Sequence, residues 1–389
     1  MRAEKILITG GLGFIGMEIA RQLVKQGQQV RLFDNLSPQI HGAIPNFFSS
    51  VLLEKAEVEV VRGDVCQSKM WDVVLADVGC VIHLAAETGT AQSMYEIFSY
   101  TKTNVGGTAS LLDHLANHKH SVGKIILSSS RSIYGEGAYQ CACCGLVYPP
   151  MRSDEMLRTG KWQAECPNCK GAITATSTPE NATPSPASIY AATKLAQEDL
   201  VRIAGKALGI PAVIFRLQNV FGEGQSLKNP YTGILSIFSN QLRGEKTVNL
   251  YEDGQQSRDF IHVSDVARAV VLGVTGDGAD GETLNVGSGK PTTVEQIAAL
   301  LAERYGVRAR AVISGQYRLG DIRHGYADTT AIGHKLGFAP EISLEQGLGR
   351  FVAWVKQQPV EQDRLDVATQ ELIARGLMVE HVATETTSV

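Results

Sequence analysis

Two short stretches carry side chains able to move a proton. The first is SSSRSIYG at 128–135, where three hydroxyls end an apolar run, KIIL at 124–127. The second is YAATK, which sets Tyr190 and Lys194 four residues apart. On a helix that spacing puts both on one face. An ammonium beside a phenol favours the phenolate and lowers a pKa that starts at about 10. A tyrosine tuned in this way can take a proton from an alcohol at neutral pH. A Tyr–Lys pair alone is commonplace on protein surfaces, so its meaning depends on what surrounds it.

A nucleotide site would give the pair a purpose. GGLGFIG at 10–16 places Gly10, Gly13 and Gly16 three apart, between an apolar run and a helical pattern. Such a turn needs glycine's backbone freedom, and it lets a diphosphate approach a helix N-terminus with no Cβ in the way. Asp34 ends the next strand pattern, where a carboxylate can accept bonds from ribose hydroxyls. Asn35 follows it rather than an arginine, which favours NAD over NADP. Asp64, after the third strand pattern, suits the adenine edge. Together these features point to a dinucleotide cofactor.

The elements that must hold these groups alternate. Strand patterns at 4–9, 28–34, 58–65, 79–86, 124–130 and 210–217 are mostly separated by helical patterns. That order predicts an α/β fold with a Rossmann-type, doubly wound parallel sheet. Residues 140–172 interrupt it. They are rich in Cys, Pro and Gly, carry no long periodic element, and read as a zinc-ribbon-like insertion on a loop, with 173–187 as a Pro/Ser/Thr linker. After Leu217 the alternation loosens, which suits a smaller C-terminal α/β domain. An amphipathic helix is expected over 292–306, capped by Thr292 or Thr293. The division is residues 1–217 for the NAD-binding domain and 218–358 for a substrate domain, some segments of which return to the first sheet. Residues 359–389 form a polar tail with one helical pattern and a mobile end.

Composition narrows the class. The chain has 389 residues, 44% of them apolar and 20% charged, with net charge −4. That balance argues against nucleic-acid or membrane-surface binding. No apolar stretch reaches spanning length and no signal peptide is visible, so the expectation is a cytoplasmic protein. Its seven cysteines should then be reduced. Four of them, Cys141, Cys144, Cys166 and Cys169, form two C-x2-C knuckles, a strong signal for a tetrathiolate zinc site. Four thiolates close the shell, so the metal would be structural. Cys143 reads as spare, though it could compete with Cys144; Cys66 and Cys80 read as ordinary buried residues.

TGGLGFIG, GDV (63–65), HLAA (83–86), TNVGGT (103–108), SSSRSIYG, YAATK, RDFIHVSDVA (258–267) and NVGSG (285–289) occur in that order. With them the chain resembles the extended short-chain dehydrogenase/reductase family, in its nucleotide-sugar epimerase/dehydratase branch, from Lys5 to about Trp354. The resemblance implies NAD in the first domain and a nucleoside-diphosphate sugar in the second. It implies that Ser130 hydrogen-bonds the sugar hydroxyl and shares its proton with Tyr190. Phe14, Ile15, Val65, Leu84, Ala85, Ala86 and Asn104 would line the cofactor pocket, and Asn219, Arg258, Arg318 and Asp321 would hold the diphosphate and nucleotide. A homodimer formed through the helix bearing Tyr190 and one beginning near Tyr95 is also implied.

The same resemblance discriminates among reactions. The family's 4,6-dehydratases carry an Asp-Glu pair just after the catalytic hydroxyl, and its uronate decarboxylases a glutamate nearby. Arg131 and Ser132 stand there instead. The remaining set, Ser130, Tyr190, Lys194 and NAD, supports oxidation at C4 and return of the hydride to the opposite face, a 4-epimerase with NAD held tightly. HLAAETGTAQSMYE, SSSRSIYGEG, the Cys-rich insert and GQSLKNPYTGIL are most similar to a bacterial subgroup acting on dTDP-L-rhamnose. UDP-glucose, UDP-glucuronate or a 4-keto-sugar reductase reaction are the alternatives. Glu87 or Gln92 could touch the sugar, or cap the helix that follows.

Overall fold

The structure is a computed structural model that describes residues 4–42, 51–227, 229, 233–308, 310–359 and 365–379. Seven strands form one parallel sheet: β1 (Lys5–Thr9), β2 (Val30–Asp34), β3 (Val58–Arg62), β4 (Val78–His83), β5 (Lys124–Ser130), β9 (Ala212–Leu217) and β13 (Thr283–Val286). Their order is β13-β9-β5-β4-β1-β2-β3. The chain reverses direction between β1 and β4, and a crevice opens there at the strand ends. Helices cover both faces, which is why β2 and β9 are buried throughout. The helices Phe14–Lys25 and Val263–Thr275 pack together on one face. The helices Gly107–Asn117 and Ile189–Leu208 cover the other.

β13 comes from beyond Leu217, so the second part of the chain gives the sheet its last strand. The rest of that part builds its own core around Phe221, Phe238, Phe260, Leu301 and Phe351. There β10 (Asn219–Phe221), β12 (Ser257–His262), β14 (Pro291–Thr293) and β17 (His324–Gly325) share a sheet, while β11 (Val248–Leu250) pairs with β15 (Ala311–Ile313). Asp259, buried in β12, joins two sequence motifs by accepting from Ser288 N, Gly289 N and Ala327 N. The expected amphipathic helix is Val294–Tyr305; Thr293 caps it in a reciprocal capping box with Gln296.

Two expectations need correction. The Cys-rich insertion is wider than expected: β6 (Tyr139–Cys141) pairs antiparallel with β7 (Gly145–Val147) and with β8 (Ile173–Ala175), and Asp154–Arg158 is a short helix. Its first strand starts before residue 140, and its last lies in the stretch read as linker. The tail also docks: Leu365–Ala374 is helical, and β18 (Met378–Val379) pairs with β16 (Tyr317–Arg318). Residues 380–389, where the mobile end was expected, lie outside the described residues, as do Lys228 and residues 230–232 of GQSLKNPYTGIL.

Candidate active site

The end of β5 and one face of the helix Ile189–Leu208 meet residue by residue. Ser188 caps that helix by accepting from Ala191 N, and Gly209 in the left-handed region ends it. Tyr190, Lys194 and Glu198 recur every fourth residue, so they share a face. Ser130 faces the Tyr190 phenol and favours its ionised form, while its Oγ accepts from Ser132 N at 3.1 Å. Lys194 Nζ donates to the Ser128 carbonyl at 2.9 Å. Ser129 Oγ donates to Glu198 at 2.5 Å. Of the three serines, one faces the phenol, one anchors the helix, and one offers its carbonyl to the ammonium.

The electrostatics differ from the expectation that Lys194 would lower the phenol. Burial pushes Tyr190 up, and the Ser130 hydrogen bond opposes it. Burial also pushes Lys194 down to about 8, against the pull of Glu198. Glu198 itself is wholly buried and holds Arg216 through both oxygens, at 2.9 and 2.8 Å. Glu198 was missed in the sequence, although one more step of the four-residue spacing reaches it.

Beside the serines lies a cleft of about 940 Å³. Ser130, Tyr190 and Lys194 line it, as do Gly10, Gly13, Phe14, Ile15, Gly16, Asp34, Asn35, Val65, Leu84, Ala85, Ala86 and Glu87. Gly10 takes φ +65°, and a Cβ on Gly16 would sit 2.6 Å from the Gly10 carbonyl. The helix Phe14–Lys25 starts at Gly13 with no side-chain cap, so its N–H groups face the turn. The Asp34 carboxylate accepts from Leu12 N at 3.1 Å and Leu36 N at 2.8 Å, with His41 Nε2 at 3.5 Å. A glycine cradle at an open helix end, with a carboxylate beyond it, fits a dinucleotide.

Asp64 and Asn104 support the cleft without lining it. Asp64 accepts from Cys66 N and Asn35 Nδ2. Asn104 is fully buried in the π-helical stretch Thr101–Gly106, and it holds Glu87 through N–H and C=O, at 2.7 and 3.2 Å, and Thr193 at 2.9 Å. Gln92 is likewise tied up, with Gln39 and Glu96. Burial, with Glu96 and Asp64 nearby, pushes the Glu87 carboxyl up.

At the far end, Asn219, Arg258 and Asp321 line the cleft. Arg318 does not: its guanidinium lies over the Tyr251 ring, 3.5 Å from Asp321. Arg131 does, and sequence reasoning noted it only as a missing acid. The hydrogen bonds of Arg131 and Arg258 go to main-chain carbonyls, of Gly135 and of residues 257, 322 and 323. Burial, and then the neighbouring Arg258, pull Arg131 down to about 10. Two cations facing one cleft, with no carboxylate among the described residues bound to either, call for an anionic ligand.

In the insert, the four cysteine sulfurs of Cys141, Cys144, Cys166 and Cys169 lie within 4.8 Å of one another, while Cys143 is exposed outside the group. Cys66 and Cys80 are pushed up by burial, to about 11 and about 12, and are inert thiols.

The sequence model of the NAD-dependent epimerase/dehydratase family matches residues 6–153 and 163–287. This chain belongs to that family. It is 40% identical over 357 residues to the dTDP-L-rhamnose 4-epimerase of Burkholderia thailandensis, covering 91% of this chain and 96% of that one. Among solved structures it is similar to the UDP-glucose 4-epimerase of Thermotoga maritima with UDP-glucose, at 28% identity and TM-score 0.73, covering 91% and 99% of the two chains. The UDP-glucuronic acid 4-epimerase of Bacillus cereus, in complex with UDP-glucuronic acid and NAD, is 25% identical with TM-score 0.72 and covers 91% of this chain and 99% of its own.

Proposed function

We propose that this chain is a nucleoside-diphosphate-sugar 4-epimerase acting on a dTDP-6-deoxyhexose of the dTDP-L-rhamnose kind. One observation carries the reading: Ser130, Tyr190 and Lys194 line the same cleft as the glycine turn, and the two residues that follow Ser130 are Arg131 and Ser132, not acids. Bound NAD supplies the acceptor and donor of the C4 hydride. Tyr190 takes the proton of the 4-hydroxyl and gives it back, while Ser130 bonds that hydroxyl and positions it. Lys194 keeps its positive charge beside the nicotinamide end of the cleft. Arg131 and Arg258 grip the diphosphate, and Asn219, Asp321 and, through Asp321, Arg318 shape the nucleotide end. Only the nucleotide is then fixed, which leaves the sugar free to turn over between the two transfers. NAD is regenerated in each cycle and stays bound.

Zinc suits the insert. Four thiolates at the tetrahedral Zn–S distance of about 2.3 Å stand ~3.8 Å apart; Cys141 and Cys169 are 3.6 Å apart. Backbone N–H groups of Cys169 and Asn168 hold Cys166 down to about 6. Homodimer formation is supported by Ile97, Phe98 and Ile203, exposed apolar residues on two helices that pack together. Free thiols throughout, and no helix among the described residues long and apolar enough to cross a membrane, suit a cytoplasmic enzyme.

The test is incubation of the purified chain, without added cofactor, with dTDP-L-rhamnose, UDP-glucose, UDP-glucuronate and UDP-N-acetylglucosamine, followed by NMR. Inversion at C4 of the deoxysugar is expected. No inversion of any of them, with stoichiometric NADH consumption on a 4-keto nucleotide sugar instead, would replace this reading by a reductase.

A further inference from the structure

The cysteine insert sits between Ser130 and Tyr190 in sequence, and it docks on the strip 317–328. Tyr317 OH donates to Asp154 at 2.8 Å, and its ring centroid is 6.1 Å from that of Trp162. Gln163 meets His324, and Tyr326 OH donates to the Ala175 carbonyl. That strip carries Asp321 and the carbonyls that aim Arg258.

Arg152 is the centre of this contact. It is buried, and its five N–H donors are all used. Nε donates to Glu136 at 3.0 Å. Nη1 donates to the Trp162 carbonyl at 3.0 Å and to Glu252 at 2.8 Å. Nη2 donates to Glu252 at 2.9 Å and to the Asp321 carbonyl at 2.9 Å. Glu136 in turn accepts from Arg323 N at 2.8 Å, and Glu252 accepts from Arg323 Nη1 at 3.0 Å. Asp253 closes the group with both oxygens on Arg323. The peptide run 321–323 is thereby fixed from behind, while from the front Arg258 donates to the carbonyls of Ile322 and Arg323 at 2.8 and 3.1 Å.

We propose that the insert is a strut for the nucleotide end of the substrate site, with Arg152 the positioning residue that transmits its support to Asp321 and Arg258. This rests on the nucleotide subsite of the proposed function. With every Arg152 donor used, the network favours one geometry and sets the position of the backbone strip it bonds. The insert's own core is small, chiefly Tyr139, Val147 and the cysteines, so it is held in place by this contact as much as it holds it. NAD binds at the other end of the cleft, on the glycine turn, and draws nothing from the network.

The experiment uses the full, NAD-loaded chain. Calorimetric titration with dTDP and with UDP gives the affinity of the nucleotide end, and bound NAD is quantified after denaturation. Arg152→Met and Trp162→Ala are each expected to weaken nucleotide binding by about tenfold. NAD content should match the parent, and at saturating substrate kcat should stay within about threefold of it, so that the loss appears in KM. Should Arg152→Met not fold, Trp162→Ala, which leaves the main-chain carbonyl that accepts from Arg152 in place and removes only the side chain against Tyr317, decides alone. Unchanged nucleotide affinity overturns the proposal, and so does NAD loss in parallel with nucleotide loss, which would make the insert a general stabiliser. A parent chain that binds neither nucleotide sinks the substrate reading itself, a result distinct from parent and variant binding alike.

Discussion

Lys194 Nζ is 2.9 Å from the Ser128 carbonyl oxygen, so the ammonium is held two residues before the hydroxyl that bonds Tyr190. The lysine's position is thus set by β5, and its charge by burial and Glu198, not by the phenol. The division of labour is testable. Ser130 is the group that eases the phenol's ionisation in the protein itself, and Lys194 adds its field when the cofactor and sugar complete the site.

Tyr190→Phe removes the oxygen that takes and returns the proton, and keeps the ring that packs edge-on to Tyr100 at 6.5 Å. C4 inversion should fall by about 10²–10⁴-fold, the usual worth of a positioned acid–base group. NAD content and urea midpoint should match the parent. NMR turnover assays with cofactor quantification check both. A Phe variant that retains turnover would remove Tyr190 from the mechanism.

Burial of Lys194 also has a thermodynamic signature. Its folded pKa, about 8, lies below the ordinary lysine value of 10.5. Between those values the unfolded chain holds the extra proton, so stability rises with pH across that window, by at most ~3 kcal/mol from this group. Below about pH 8 its contribution is a constant cost. Lys194→Met should flatten the difference. Urea midpoints of the two proteins from pH 7.5 to 10.5 measure it, and parallel curves would refute the shift.

Glu198 shows what was legible in the sequence and what was not. Features defined by near neighbours could be read: the glycine turn, the four-residue step from Tyr190 to Lys194, the Cys-x2-Cys knuckles, the cap at Thr293. Features defined by partners far along the chain could not. Glu198 becomes functional only because Arg216 and Ser129 reach it, and Arg152 only because Glu252 lies 100 residues away. The docking of the tail was not legible because its buried apolar residues, among them Ala368, Leu372 and Met378, are sparse, and a two-residue strand such as β18 leaves no periodicity to detect. Arg318 carries the same lesson in reverse. Its motif position suggested the diphosphate, whereas a stack on Tyr251 turns it from the cleft and leaves Arg131 facing it.

Glu198→Gln follows from the same contact. Arg216 would keep its bonds to Tyr134 OH and the Glu180 carbonyl, both 2.8 Å, but lose its counter-charge in a buried site. Removing one partner of a buried pair costs about 3–5 kcal/mol. The urea midpoint should fall accordingly. Turnover measured well below the new midpoint should fall far less than in Tyr190→Phe, because Glu198 acts on the helix and not on the substrate.

Metal removal tests the insert. The purified chain should carry one zinc per polypeptide by elemental analysis, and cobalt in its place should give the visible and near-ultraviolet bands of a tetrathiolate site. Cys166 is the most informative ligand to remove, since its sulfur is fully buried among Tyr139, Cys141 and Val147. Cys166→Ser should abolish metal retention and lower the melting temperature by several degrees, whereas Cys143→Ser, on the exposed cysteine outside the cluster, should change neither. If zinc supports the insert, the Cys166 variant should expose the Asp154–Arg158 helix and the strands around it to amide exchange while the glycine turn stays protected. Equal protection with and without metal would mean that the ion network at Arg152 holds the insert unaided.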